Sequence, residues 1–432
     1  MHSSAVEADS VRLAHRLNGP GAEGLAGLGD RELRWAWEGA VAAFLDPGSP
    51  ERRELGERFV AATGLSPEGV QAGLEAVLGG VRGEPAARLF ERSRELRAAR
   101  LPQAEATSRP PSAGRSFALV VLASNLPALA VQPLLPALAA RRPVLLKSPT
   151  AEPFFAPAFV RALVERLPAL DDAVAARVWA GGEEDLEAPL LERAGVVLAY
   201  GGEEALASLE HRARTLGSAR FVGYGPKTSL AAIGRDADPE AVAPGLARDV
   251  ALFDQRGCLS IAAVYAEGGE DRARGVADAL AWELGRLART WPPGPADPAA
   301  AGTARQVRAE AELRGLFLPP VTTGTAEPPL AAGTVVVEPR PAFQPTPGLR
   351  TVRVHPLADL SVLPDLLEPW RDRLQGAALA AADRIEPALT ALGISRITPP
   401  GHLQHPDALW HNGGVDPLEA LATEPQGAPR LP

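Results

Sequence analysis

Cys258 is the only cysteine in a chain of 432 residues, and it stands in DQRGCLSIA beside Gly257. An ionised thiol is the strongest of the common protein nucleophiles. The glycine lets a substrate approach the backbone closely. Taken alone, the residue also fits a buried and inert thiol. A second feature is the glycine pair Gly201–Gly202 in GGEEALASL, between a strand-like and a helix-like run. A helix N-terminus there offers free N–H groups and a positive dipole to a pyrophosphate. An ordinary turn between strand and helix has the same pattern. His402, His405 and His411 have the spacing H-x-x-H-x5-H. No second cysteine completes a zinc set, and histidines in a loop bordering a cleft explain them better than a metal. His411 is a candidate for proton handling. No G-x-x-x-x-G-K-[ST] or G-x-S-x-G motif occurs, so neither a P-loop nor a serine hydrolase has support.

Composition sharpens the search. Lysine occurs only at 147 and 227, and asparagine only at 18, 125 and 412. The chain is rich in Ala, Arg, Gly and Pro, and rare residues kept against such a bias are better functional candidates. The net charge is −9 with no long basic run, which argues against nucleic acid and anionic membranes as partners. One cysteine excludes an intrachain disulfide and fits a reducing cytoplasm. The start, MHSSAVEADSVRLAHRL, lacks the apolar core of a signal peptide. Phe117–Ala140 is uncharged and long enough to span a bilayer. Asn125, Gln132 and three prolines argue against that. The expectation there is a buried strand, a loop at Ser124–Pro127 and a buried proline-rich helix.

The elements that must position these residues follow from periodicity. Residues 1–106 read as a helical region, with helices in RELRWAWEGAVAAFL, PERRELGERFVAAT and PAARLFERSRELRAAR. TSRPPSAGRS, residues 107–116, reads as a linker. Strand–helix alternation then runs to residue 225, with strands at FALVVLAS, VLLK, ARVWAG, GVVLAYGG and ARFVGYG. Continuously apolar strands alternating with helices imply an α/β fold with a covered parallel sheet. A second α/β segment covers 226–432. It has a helix at DPEAVAPGLARDVALFD, strands at TSLAAIG, IAAVYAEG, TVVVEP, RTVRVHP and ISRIT, and helices at RARGVADALAWELGRLART and ALAAADRIEPALTALG. WPPGPADPAAAGT reads as a loop, and the tail ends in a short helix.

DVALFDQRGCLS resembles the nucleophile motif of the LuxC-type long-chain acyl-CoA reductases, a branch of the aldehyde dehydrogenase superfamily. Other segments resemble it in the same order: VLASNLPALA, VLLKSPTAEP, AYGGEEALASL, FVGYGPKTSLAAI and, near the end, RITPPGHLQHP…HNGG. The resemblance implies an aldehyde-dehydrogenase-like fold, with a Rossmann-type cofactor domain (107–225) and an α/β catalytic domain (226–432). It implies Cys258 as nucleophile, Asn125 as oxyanion donor, Lys147 on the cofactor ribose, and Gly201 and Gly202 at the pyrophosphate. Glu338 is the nearest match to the family's later ribose-binding glutamate. Two departures carry information. Gly223 stands where hydrolytic relatives have a glutamate base, which favours thioester reduction over hydrolysis. Thr150 stands where NAD-preferring relatives have a glutamate, which favours NADPH while leaving NADH open. The implied partners are an acyl-CoA substrate, an acyl-protein synthetase and further copies of the chain in a homo-oligomer. The competing readings are a reductase or aldehyde dehydrogenase for short or unusual acyl groups, and a non-catalytic subunit keeping the fold.

Overall fold

The computed structural model describes residues 2–106, 117–318 and 332–422. The first sheet contains β1 (Ala118–Val121), β2 (Val144–Ser148), β3 (Val174–Val178), β4 (Val196–Tyr200) and β5 (Arg220–Tyr224). All are parallel, in the order β3-β2-β1-β4-β5. Side chains alternate between faces along each strand. Ala118, Val120, Val144 and Leu146 enter one core, with Trp37, Phe44, Phe155 and Phe159. Leu119, Leu145 and Val197 enter the other, with Leu13, Leu17, Leu190 and Leu209. The amino-terminal helices thus cover both faces of this sheet and have no separate core. His2–Arg16 and Pro67–Gly79 are helices beyond the three expected in that region.

The second sheet contains β6 (Thr228–Ile233), β7 (Ile261–Glu267), β8 (Phe317–Leu318), β9 (Thr334–Val337), β10 (Thr351–Leu357), β11 (Leu374–Ala380) and β12 (Arg396–Thr398). Its order is β12-β11-β6-β7-β10-β9-β8. Only the β8–β9 pair is antiparallel among these. Helices Pro239–Ala251 and Glu270–Thr290 pack on one face through Leu246, Val250, Leu280 and Leu284.

Two expectations are corrected. ALAAADRIEPALTALG is not one helix: its first three residues end β11, and the helix is Glu386–Ala391. Alanine favours helix, but here the run pairs with β6 and β12 and is buried, which overrides propensity. The loop expected at 291–303 becomes a helix at Pro298. Asp297 caps it by accepting from the N–H groups of Ala299 and Ala300, with proline at the first helical position. The linker at 107–116 lies outside the described residues. Phe117–Ala140 is the expected strand, loop and proline-containing helix, Val131–Ala139. Among the described residues no helix is long and apolar enough to cross a membrane.

Candidate active site

The two sheets meet across a cavity of about 580 Å³. The first sheet reaches it with its carboxyl ends: Ala123–Asn125 after β1, Tyr200–Gly202 after β4, and Gly223–Gly225 at β5. The second reaches it with its amino ends: Lys227 before β6, Cys258 and Leu259 before β7, and Gln375 at the start of β11. Gln404, Pro406, Trp410 and Asn412 of the carboxyl-terminal segment close one wall, and Val77 of the helix Pro67–Gly79 adds to it.

Cys258 follows an unusual turn. Helix Pro239–Ala251 stops, and Phe253, Asp254 and Gln255 all adopt the left-handed conformation, with φ of 57°, 50° and 65°. Such non-glycine residues cost about 1–3 kcal/mol each and persist only where their surroundings hold them. Asp254 accepts from Arg350 Nε at 3.0 Å and from the Gly294 N–H at 2.9 Å. Gln255 Nε2 donates to the carbonyls of Ile261 and Thr351, both at 2.7 Å, and its Oε1 accepts from the Thr351 N–H at 2.7 Å. Arg256 donates to the carbonyls of Thr63 (2.5 Å) and Gly64 (3.2 Å). Each motif residue before Gly257 therefore holds the turn with its own side chain. Gly257 has a steric reason as well: a Cβ there would lie 2.9 Å from Gln404 Oε1.

Ser229 Oγ donates to the Cys258 carbonyl at 2.9 Å. Asn125 Nδ2 donates to the Arg256 carbonyl at 3.1 Å. A primary amide has two N–H donors, so one remains for a ligand. Burial pushes the Cys258 thiol up to about 11, while backbone N–H groups and the Lys227 ammonium pull the other way. Lys227 Nζ is held by the carbonyls of Asp372 (3.1 Å) and Leu374 (3.4 Å). Tyr200 and Tyr224 stack on the cavity wall, with ring centroids 4.7 Å apart.

Cys258, Asn125, Gly201 and Gly202 therefore share one cavity. Lys147 and Thr150 lie to the side, at and just beyond the carboxyl end of β2. The Lys147 ammonium sits 5.9 Å over the Trp179 ring and has no hydrogen bond among the described residues. Burial lowers its pKa, and the Glu187 and Glu183 carboxylates oppose that. A Cβ at Gly202, just before the helix Glu203–Leu216, would meet nothing within 4 Å. A lysine without a hydrogen bond among the described residues and an open glycine at a helix N-terminus suit a nucleotide cofactor.

Glu338 does not join this group. It is buried at the end of β9, and its carboxylate pairs with Arg353 on β10, with Arg314 4.0 Å away. An uncompensated buried carboxylate is costly, and the register of β9 on β10 puts the compensating arginine beside it. His411 is not on the cavity wall. Its Nε2 lies 3.4 Å from Asp416 Oδ2, a carboxylate that Arg92 also holds. Among the described residues no three His, Cys, Asp or Glu side chains are grouped to hold a metal. Lys227, Ser229, Gln255 and Gln404 act at the site without having been assigned a role from the sequence. The rarity of lysine pointed at Lys227. The others lay inside the DQRGCLS, GPKTS and HLQHP segments, but nothing in their types gave a partner.

The fold is aldehyde-dehydrogenase-like, with Cys258 on the wall of the cavity between the two sheets. The Mycobacterium tuberculosis aldehyde dehydrogenase complexed with NAD+ superposes with a TM-score of 0.68, at 16% identity over 97% of this chain and 88% of that one. The Pseudomonas syringae protein described as "P. syringae AldA Indole-3-Acetaldehyde Dehydrogenase" gives 0.65, at 17% identity over 95% and 84%. At such identities the likeness is one of fold. Residues 64–424 match the model of the family described as acyl-CoA reductase (LuxC), and the chain belongs to that family. It is similar to the long-chain acyl-protein thioester reductase of Aliivibrio fischeri, 28% identical over 291 residues. That match covers 65% of this chain and 57% of the relative. Long-chain acyl-protein thioester reductase 2 of Photobacterium leiognathi is 29% identical over 45% of this chain and 40% of its own. The matched part thus spans roughly half the length of these relatives.

Proposed function

We propose that the chain reduces a fatty acyl thioester to the aldehyde through a thioester on Cys258. The observation that carries this reading is the meeting of Cys258 and Asn125 in one cavity, where Asn125 is bonded to the carbonyl two residues before the thiol. The names of the relatives, acyl-protein thioester reductases, support the substrate class.

In this mechanism Cys258 Sγ attacks the acyl carbonyl, forming a C–S bond. The free N–H of Asn125 and the Cys258 backbone N–H receive the oxyanion. The donor's C–S bond then breaks and its thiol leaves. Lys147 would bind ribose hydroxyls, and Gly201 and Gly202 the pyrophosphate, of a reduced nicotinamide cofactor, which supplies the hydride. Cys258 then leaves as thiolate and the aldehyde is released. Gly223 puts no carboxylate on the cavity wall, so water has no base there and hydrolysis of the acyl-enzyme is disfavoured. Val77, Leu126, Leu129 and Phe253 give an apolar wall for the acyl chain. In this reading the described residues within 107–225 belong to the cofactor domain and those within 226–432 to the catalytic domain. The physiological donor is acyl-CoA or the acyl group on a synthetase.

NADPH is the cofactor in this reading, because the exposed Thr150 brings no carboxylate against a 2′-phosphate. A second reading, NADH, is favoured by Glu183 and Glu187 close to Lys147. Both carboxylates are already engaged, Glu183 with the Ala180 N–H and Glu187 with Trp179 and Arg212. The test is acyl-CoA-dependent NADPH and NADH oxidation by the wild type and Cys258→Ala. Oxidation that persists in the variant would overturn the mechanism. Faster turnover with NADH would overturn the cofactor choice alone.

A further inference from the structure

We infer that Gln404 is a positioning residue for Cys258, an assignment that rests on the reading of Cys258 as nucleophile. The left-handed turn creates a problem that Gln404 solves. A helix ends with carbonyls that lack intrahelical donors, and the reversal at Phe253–Gln255 removes the backbone N–H groups that would have continued the ladder. Gln404 Nε2 donates to two carbonyls there, those of Asp249 at 2.6 Å and Leu252 at 3.3 Å. Its Oε1 accepts from Ser260 Oγ at 3.2 Å. The same oxygen is what a Cβ at Gly257 would strike. One buried carboxamide thus touches the end of the helix, the residue before Cys258 and the strand entry after it.

Gln404 is itself held. Asp249 accepts from the Gly401 N–H at 2.6 Å and the Leu403 N–H at 3.2 Å. A Cβ at Gly245 would lie 2.6 Å from the Pro400 carbonyl, so helix and carboxyl-terminal segment are in direct backbone contact. The segment therefore fixes the thiol relative to Asn125, which approaches the same turn from the other sheet through the Arg256 carbonyl.

The test separates two reactions of one thiol. Acylation by acyl-CoA without cofactor, read as CoA release, needs the thiol aligned with the oxyanion donor. Alkylation by iodoacetamide needs an accessible, ionised thiol but no oxyanion donor. Gln404→Leu should slow acylation about 10- to 100-fold, the scale of a small misplacement of reacting groups, and leave alkylation within about threefold of wild type. Gln404→Glu keeps the shape and the acceptor for Ser260 but loses the donors. It should show the same selective loss, and it serves if the leucine variant fails to fold. Equal loss of both reactions, or loss of neither, overturns the inference. A wild type that releases no CoA would instead overturn the nucleophile reading on which it rests.

Discussion

The amide of Asn125, on the loop after β1, donates to the carbonyl of Arg256 at 3.1 Å, two residues before Cys258. The hydrogen bond crosses from one sheet's loop to the other's. It ties Asn125 to the turn that carries Cys258. Asn125→Ala removes both the donor and this tie. We expect kcat to fall about 100- to 1000-fold, with less effect on cofactor affinity. Steady-state rates with NADPH and fluorescence titration of the cofactor check the two parts.

The thiol is raised to about 11 by burial. At neutral pH the free protein then holds Cys258 almost wholly as the thiol, and alkylation by iodoacetamide should rise about tenfold per pH unit up to that region. The Lys227 ammonium favours the thiolate. Lys227→Met should shift the alkylation profile to higher pH. An unchanged profile would mean that Lys227 only braces the loop at Asp372–Leu374.

Asp254 and Arg350 form a buried pair with Arg350 Nη2 2.8 Å from Asp254 Oδ1. Breaking such a pair from one side costs about 3–5 kcal/mol. Arg350→Met should lower the denaturation midpoint accordingly and reduce activity in the folded remainder. Chemical denaturation and specific activity measure both.

Burial raises the buried Asp249 carboxyl to about 7, against backbone hydrogen bonds and Arg396, which lower it. The native state therefore holds this proton more tightly than the unfolded chain between about pH 4 and pH 7. Stability from the neutral form is full below that window and lost as pH rises through it. Asp249→Asn should flatten the dependence, at the cost of one of the two backbone hydrogen bonds the carboxyl accepts. Urea unfolding at pH 5 and 7.5 decides.

Helix Pro67–Gly79 packs against the loop after β1 and the turn before Cys258. A Cβ at Gly73 would lie 2.8 Å from Phe253 and 2.9 Å from Pro127, and Val77, one turn on, lines the cavity. Val77→Phe should depress kcat/KM for tetradecanoyl-CoA about tenfold or more while sparing acetyl-CoA, since overpacking is penalised by chain volume. Equal losses across the series would place the acyl chain elsewhere.

The sequence made some of this legible and not the rest, for identifiable reasons. β1 and β4 were readable because strands buried on both faces are apolar without interruption, and β2 through its apolar start Val144–Leu146. β11 was not, because GAALA carries helix propensity and only its neighbours β6 and β12 make it a strand. Cys258, Asn125, Gly201 and Gly202 were found by residue type and resemblance, and they do share the cavity. Glu338 looked available because a linear sequence hides Arg353 beside it. Gln404 and Gln255 escaped notice because their value lies in carbonyls about 150 and 100 residues away, which no local pattern encodes.

Three partners of the turn before Cys258 lie late in the chain: Arg350, Thr351 and Gln404. A growing polypeptide that has just emerged past Ser260 already contains the cysteine and every residue of the turn, and none of these three. Arg256 already has Thr63, Gly64 and Asn125 to hold it, but Asp254 and Gln255 lack Arg350 and Thr351 until β10 has been synthesised and docked. The set of contacts around Cys258 is therefore complete only once the carboxyl-terminal segment is in place, and a chain cut short before it lacks those of Gln404.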